Sequence, residues 1–170
     1  MENNFHLLQS LDRSVYEEVL NILRQHPYLR IMSVIADTTQ DDWIGDMLQE
    51  DYYEVYYTTA DLWKPAAEYD AVLCMGTHQR LSIEASEKLS KDAEAAVRPG
   101  GHVIITMSAQ SYTDRDCLWL ADGKKLGDYY KTRKDYRAQT IHHACKNNLV
   151  GSNKREYSNE PDVWMIDYTV

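Results

Sequence analysis

Residues 69–107 read YDAVLCMGTHQRLSIEASEKLSKDAEAAVRPGGHVIITM, and this stretch decides the fold. Two apolar runs, Tyr69 to Met75 and His102 to Met107, have the composition of buried strands. Between them, Ile83 to Val97 is predicted to form a helix, and the sequence PGG then turns the chain into the second strand. A strand, a helix and a strand in this order indicate a parallel pair.

The same alternation extends to both sides of this stretch. The further predicted helices are Ser14 to His26, Asp41 to Glu50 and Leu126 to Asn147, and the further predicted strands are Leu29 to Ala36, Tyr53 to Thr58, Leu149 to Tyr157 and Val163 to Val170. Because the central strands of such a sheet are covered on both faces, we expect Val72 and Ile104 to be buried in neighbouring parallel strands.

The fold class that follows is α/β, with a mostly parallel, Rossmann-like sheet. Asn159 to Pro161 is turn material between the last two predicted strands, so an antiparallel hairpin is expected to close the sheet. At 170 residues, we interpret the chain as a single domain. The polar residues 1–12 are expected to be a flexible or interaction arm.

Composition limits the classes of function. The net charge of −9 argues against a surface built to bind nucleic-acid phosphates, and the basic run Lys124 to Arg137 is interpreted as a solvated helix face. Cys74, Cys117 and Cys145 form no CxxC pair, which favours free thiols in a reducing compartment. No secretory signal and no apolar run long enough to cross a membrane is seen. A cytoplasmic protein is therefore expected.

Three segments resemble class I S-adenosylmethionine-dependent methyltransferases. YDAVLCMGTHQRLS (69–82) is similar to the family's fourth strand and following loop, and AAVRPGGHVIIT (95–106) is similar to its "LRPGG" turn and fifth strand. Residues 34–65 are similar to its pattern of strand, acidic residue, helix, strand and Ala-Asp pair. The Williams–Beuren critical-region methyltransferase-like group is the most similar. The resemblance implies a Rossmann-like methyltransferase sheet that is closed by a Trp-containing hairpin.

The chain departs from this family at the cofactor loop. Members carry a GxGxG loop after the first strand, where glycine lets the backbone turn tightly and approach the cofactor. The first glycine here is Gly45, inside a predicted helix. If Leu29 to Ala36 matches the second strand, the first strand is absent and the domain is N-terminally truncated. If it matches the first strand, its loop reads ADTTQDD and has no glycine.

The resemblance implies five candidate site residues, and three of them have a plainer alternative. Asp37 matches the acid that holds the cofactor ribose, or else belongs to the cap region of the next helix. Asp61 matches the acid that contacts adenine, or else is an exposed loop carboxylate. Met75 and Gly76 fall where cofactor and substrate meet. His78 is the candidate general base, or else a polar loop residue.

Two further groups of residues could be considered binding sites from their composition. The clustered tyrosines, among them Tyr52, Tyr53, Tyr56 and Tyr57, fit an aromatic substrate box or, preferably, an interface with buried rings and wet hydroxyls. The segment 142–145, HHAC, does not have zinc-ligand spacing, so no metal site is predicted.

These observations favour a methyltransferase-like domain that has lost S-adenosylmethionine binding, carries no cofactor and acts through a homodimer or a partner protein. Without its first strand, either the remaining strands close up or a second chain covers the exposed edges, and the candidate contacts for a second chain are Tyr52 to Tyr57 and Val15 to Leu23. The alternative is an active methyltransferase that uses the five candidate residues, and a metabolite sensor is a third hypothesis. Of these hypotheses, only the active methyltransferase requires S-adenosylmethionine.

Overall fold

The computed structural model describes residues 2–25, 29–108, 130–141 and 163–170. Its helices are α1 (Glu2–Leu23), α2 (Trp43–Glu50) and α3 (Ile83–Ala96). Its strands are β1 (Arg30–Ile35), β2 (Glu54–Thr59), β3 (Tyr69–Met75), β4 (Val97–Ser108), β5 (Lys134–Ile141) and β6 (Val163–Thr169). A 3₁₀ helix, His78–Arg80, follows β3.

The six strands form one mixed sheet in the order β2-β1-β3-β4-β6-β5. The pairs β1–β2, β1–β3 and β3–β4 are parallel, whereas β6 is antiparallel to both β4 and β5. The predicted mostly parallel α/β sheet with an antiparallel end is confirmed.

The predicted central pair of strands is also confirmed. Val72 aligns with Val103, and Leu73 aligns with Ile104, in the parallel ladder between β3 and β4. Val72 and Ile104 are both fully buried. They belong to different core clusters, because they lie on opposite faces of the sheet.

Helices cover both faces of the sheet. On one face, α1 buries the predicted apolar stripe against β1, β3 and β4, together with residues of α2; the stripe consists of Val15, Val19, Ile22 and Leu23. On the other face, α3 packs Leu89 and Ala93 against alternate residues of the same strands. Alternating burial on both sides explains why the strands are apolar throughout. In the described segments, no helix is long and apolar enough to cross a membrane.

The first helix begins earlier than predicted. Residues 1–12 were expected to be an arm, but α1 runs from Glu2 and does not start at Ser14. Once the buried stripe after Ser14 has nucleated the helix, each further residue adds a hydrogen bond at little cost. The predicted interaction role of this segment stays a prediction.

The predicted helix from Leu126 to Asn147 is wrong over its central part. Lys134–Ile141 is strand β5, which pairs with β6. Tyr136 packs against one core cluster and Ile141 against the other, as an odd spacing along a strand requires. Asp135 also has a φ of 54°, which a helix interior does not tolerate. The predicted strand at Leu149 to Tyr157 lies outside the described residues.

The sheet is continuous in the described part of the chain, which agrees with the alternative in which the strands close up. β1 pairs directly with β3, and Met32 aligns with Val72. The candidate contact face of α1 is buried within the chain. The central strands therefore do not require a second chain beside them. A homodimer through another surface stays a prediction.

Candidate functional site at the carboxyl ends of β1 and β3

The strand order places one crevice at the carboxyl ends of the parallel strands. From β1 the chain moves outward to β2, and it then returns to β3 on the other side of β1. The order therefore reverses between β1 and β3. Ligands of open α/β sheets bind at such a reversal, outside the carboxyl ends of the strands. This crevice is the first place to look for a cofactor.

The side chain of Gln40 fills this crevice. Gln40 lies in the loop after β1 and is buried. Its Nε2 donates to the carbonyl of Met75 at 2.8 Å and to Oγ1 of Thr77 at 3.1 Å. Its Oε1 accepts a hydrogen bond from the amide of Ala36 at 2.8 Å. One amide group thus joins the end of β1 to the end of β3.

Thr77 forms a further hydrogen bond that joins the end of β3 to β1. Its side chain is fully buried, and its hydroxyl donates to the carbonyl of Val34 at 2.5 Å. The loop between β1 and α2, ADTTQDD, contains no glycine that would let its backbone approach a ligand closely. The crevice is therefore occupied by the chain's own polar side chains, whose hydrogen bonds are satisfied.

The two predicted acidic contacts lie outside the crevice. Asp37 is exposed and accepts hydrogen bonds from the amide of Thr39, at 2.9 Å, and from its hydroxyl. These hydrogen bonds hold the pKa of Asp37 below its ordinary value. Asp61 is exposed in the turn after β2, where the amide of Leu62 donates to the carbonyl of Thr59 at 3.2 Å. The residue that caps α2 is Asp42 and not Asp37, and the roles of Asp37 and Asp61 stay predictions.

Met75 and Gly76 do meet at a cleft, next to the filled crevice. The cleft has a volume of about 190 Å³, and its lining includes Met75, Gly76, Asp42, Trp43 and Thr106. It is smaller than the roughly 300–1,000 Å³ usual for pockets that hold drug-sized ligands. Of the predicted cofactor-binding residues, two line this cleft, and Asp37 and Asp61 do not.

Gly76 has the backbone conformation that the loop after β3 requires. Its φ is +75°, a value that residues with a Cβ rarely adopt, and its amide donates to the carbonyl of Thr106 at 2.9 Å. The cleft wall thus depends on a tight turn at Gly76.

His78, the candidate general base, is completely buried. Its Nε2 lies 3.1 Å from Oγ of Ser90 and 3.3 Å from the hydroxyl of Tyr130. The Tyr130 hydroxyl also bonds to Ser90, and the carbonyl of His78 accepts from Oγ of Ser86 at 3.2 Å. The imidazole connects the 3₁₀ helix to α3 and does not face the cleft lining. In this structure a substrate cannot reach it.

Asp42 is a site residue that the sequence reasoning did not select. Its carboxylate accepts from the amide of Gly45 at 3.0 Å, which caps α2, and from the hydroxyl of Ser33 on β1. Burial raises the pKa of Asp42, and the nearby carboxylate of Asp46 raises it further. The signal was present in the sequence, since an aspartate directly before a helix is a preferred N-cap residue. Its burial beside the cleft could not be foreseen.

The remaining candidate chemistry is not supported within the described residues. Cys74 is fully buried, and burial raises the pKa of its thiol well above the ordinary value, so a reactive thiolate is disfavoured. Among the residues that the structure describes, no group of three potential metal ligands comes together. His142, His143, Cys117 and Cys145 lie outside those residues.

No protein-family model and no curated relative matches the sequence. Solved structures do match the fold. N-methyltransferase NodS from Bradyrhizobium japonicum WM9, in complex with S-adenosyl-L-homocysteine, has a TM-score of 0.56 at 11% identity, over 92% of this chain and 86% of that chain. An S-adenosylmethionine-dependent methyltransferase from Mesorhizobium loti has a TM-score of 0.56 at 12% identity, over 88% and 96%. The [4+2]-cyclase SpnF has 0.52 at 9%, over 93% and 80%.

These similarities give the chain a Rossmann-like methyltransferase fold. At identities this low, the similarities show the fold and do not show the function. The three structures also include one whose name is that of a cyclase, so the fold does not by itself imply methyl transfer.

Proposed function

We propose that this chain is a methyltransferase-like domain that does not bind S-adenosylmethionine and acts by associating with another protein. The methyltransferase-like fold is the premise. The observation that carries the proposal is the filled crevice between β1 and β3, where Gln40 donates to Met75 and Thr77. A ligand at that place would have to break these buried hydrogen bonds, and each group left unpaired costs about 1–3 kcal/mol.

The candidate cofactor residues support the same proposal. Asp37 is engaged by Thr39, Asp61 is exposed on a turn, and neither lines the cleft formed by Met75 and Gly76. The group implied by the fold therefore does not fit the residues that are present.

Within the methyltransferase-like fold, we place the chain with the Williams–Beuren critical-region group. The support is the stretch YYEVYYTTADL (52–62), which precedes β3, and a tryptophan in the closing strand β6, which reads VWMIDYT.

The alternative function is an active methyltransferase on a small molecule or protein. The cleft next to Met75 and Gly76 favours it, because it lies at the carboxyl ends of β3 and β4, where a substrate would be expected. A metabolite sensor would use the same cleft. Both alternatives require Gln40 to leave the crevice, or a ligand that needs only the 190 Å³ cleft.

Calorimetric titration with S-adenosylmethionine and S-adenosylhomocysteine tests the proposal. We expect no heat of binding at physiological concentrations. A bound ligand at one hundred times its Kd would also stabilise the fold by about 2.7 kcal/mol, which a thermal-shift assay detects. A dissociation constant in the low micromolar range or tighter would overturn the proposal.

A Gln40→Gly variant sharpens the titration. It removes the side chain from the crevice and supplies the missing glycine, and Gln49→Gly on the exposed surface of α2 is its matched control. Binding by Gln40→Gly alone would show that Gln40 is the barrier. Binding by the unaltered chain or by both variants would show that it is not.

Association has two candidate partners, a second copy of the chain and a different protein. A specific interface should bury at least about 1,000 Å² in total. Sedimentation at micromolar concentration separates the two, because a homodimer forms without any addition. Since the stripe on α1 is buried, the tyrosine-rich strand β2 is the candidate contact that stays accessible.

A further inference from the structure

The exposed large hydrophobic side chains of the described residues are concentrated in one part of the chain. They lie on α2, on β2 and on the turns that precede and follow β2, and they are Trp43, Tyr52, Tyr56, Tyr57 and Leu62. Scattered apolar residues on a surface need no explanation, but a concentration in a single region marks an interaction surface. We call residues 41–62 the acidic edge.

The same segment is strongly acidic. Residues 41–61 contain seven aspartates and glutamates and no lysine or arginine, in a chain whose net charge is −9. All of these acids except Asp42 are exposed. Among the described residues, Glu50 and Asp61 pair with no cation. The surface is therefore both aromatic and strongly acidic.

The acidic edge includes an unpaired side of the sheet. β2 is the terminal strand in the sheet order, and it pairs only with β1 in the described part of the chain. Such a strand presents main-chain donors and acceptors that can add a further strand. Tyr56 and Tyr57 are successive residues of β2, so their rings stand on opposite faces and flank any strand added there.

The edge already holds one guanidinium group of its own chain. Nε of Arg30 lies 3.2 Å from the carboxylate of Glu54, and its guanidinium carbon lies 5.9 Å from the centre of the Tyr56 ring. A carboxylate and an aromatic face together form the usual site for an arginine. On the other face, Tyr57 donates to Asp46 at 2.9 Å and so places a second ring beside a carboxylate.

We propose that the acidic edge binds an extended, arginine- or lysine-rich segment of a partner protein, which adds a strand to β2. Its cations would pair with the exposed carboxylates, and its apolar residues would cover the tyrosine rings. A second copy of the chain does not fit here, because two acidic edges would face each other and like charges across an interface disfavour association. The inference rests on the proposed function only in taking the chain to act through protein association.

A peptide of twelve residues that alternates arginine and valine is the probe. Two control peptides replace arginine by glutamate, or interrupt the strand with two prolines. Fluorescence anisotropy gives the affinity, and amide chemical-shift mapping gives the location. We expect the basic peptide alone to bind, at moderate ionic strength, with shifted amides confined to residues 41–62.

Two charge-reversal variants test the location independently of net charge. Glu50→Lys with Asp61→Lys changes the acidic edge, and Glu17→Lys with Glu84→Lys makes the same charge change at exposed positions on α1 and α3. We expect the first variant to weaken binding at least about tenfold and the second no more than about twofold.

Several results would overturn the inference. Equal weakening by both variants would mean a general attraction to an acidic protein, and equal binding of the proline-interrupted peptide would exclude strand addition. A β2-mediated dimer in sedimentation, or no peptide binding at all, would also refute it. Binding of S-adenosylmethionine by the same sample would overturn the proposed function and leave the peptide result intact.

Discussion

The side-chain amide of Gln40 donates to the main-chain carbonyl of Met75 across 2.8 Å, between the loop after β1 and the end of β3. A parallel sheet that reverses its strand order leaves these two strand ends exposed to a ligand. Here the reversal is closed by a residue of the chain itself. The same hydrogen bond therefore contributes to stability and, under the proposed function, also keeps a cofactor out of the crevice.

We expect Gln40→Ala to destabilise the fold by about 1–3 kcal/mol, because the amide of Ala36 and the carbonyl of Met75 would lose their buried partner. Urea unfolding monitored by circular dichroism measures the change. Gln49→Ala on the exposed face of α2 is the control and should stay within about 0.5 kcal/mol. Equal effects of the two substitutions would show that the hydrogen bonds of the Gln40 amide do not stabilise the fold.

The two glycines of the PGG turn should differ in their tolerance of a side chain. A Cβ on Gly101 would lie 2.3 Å from the carbonyl oxygen of Asp70, so Gly101→Ala must push β3 and β4 apart at a cost of about 1–3 kcal/mol or more. Gly100 has open space around it and a φ of +89°, so Gly100→Ala costs about 1–2 kcal/mol from its backbone alone. The thermal midpoint of Gly101→Ala should be the lower of the two. The reverse order would contradict the close approach at Gly101.

The sequence predicts most of the sheet because its central strands are buried on both faces. An apolar run such as Tyr69 to Met75 is then unmistakable, and its bounds match β3. β5 escaped prediction because it is an edge strand with many exposed residues, and its identity depends on hydrogen bonds to β6. Nothing local in residues 134–141 reports that pairing.

The location of the candidate site could be predicted from the sequence, but the closure of the crevice by the Gln40 side chain could not. The missing glycine is visible in the sequence, and so is the loop that replaces it. What the residue types cannot give is the direction of the Gln40 side chain, since a glutamine at a strand end is ordinarily solvated. The burial of His78 could not be predicted either, because its partners Ser90 and Tyr130 are distant in the chain.

The polar cluster of His78, Ser90 and Tyr130 should behave as one structural unit. Tyr130→Phe removes a buried hydroxyl that bonds to both partners, and we expect a loss of about 1–2 kcal/mol. In a double-mutant cycle with Ser90→Ala, the coupling energy should be about 0.5 kcal/mol or more. Tyr52→Phe, at an exposed position, should be neutral. Strict additivity of the two buried substitutions would mean that the hydroxyls act independently.

Asp42 makes the stability of the fold depend on pH in a direction opposite to that of a salt-bridged carboxylate. Its pKa in the folded chain is raised above the ordinary value by burial, although the hydrogen bonds from Ser33 and Gly45 oppose the shift. Between the two pKa values the folded chain binds more protons than the unfolded chain. The contribution of Asp42 is therefore fully present below its unfolded pKa, near 4, and is lost as the pH rises through its folded value.

We accordingly expect Asp42→Asn to gain stability relative to the unaltered chain as the pH is raised from 4 to 7. The amide keeps the acceptor for Gly45 and cannot ionise, so it imitates the protonated acid. Asp42→Ala is the control, since it lacks the cap of α2 and should lose about 1 kcal/mol when compared with Asp42→Asn at every pH. Urea unfolding of the three proteins across this range gives the differences, in which the titration of the other carboxylates cancels. A difference between the unaltered chain and Asp42→Asn that stays constant with pH, or that grows in favour of the acid, would show that burial does not dominate the ionisation of Asp42.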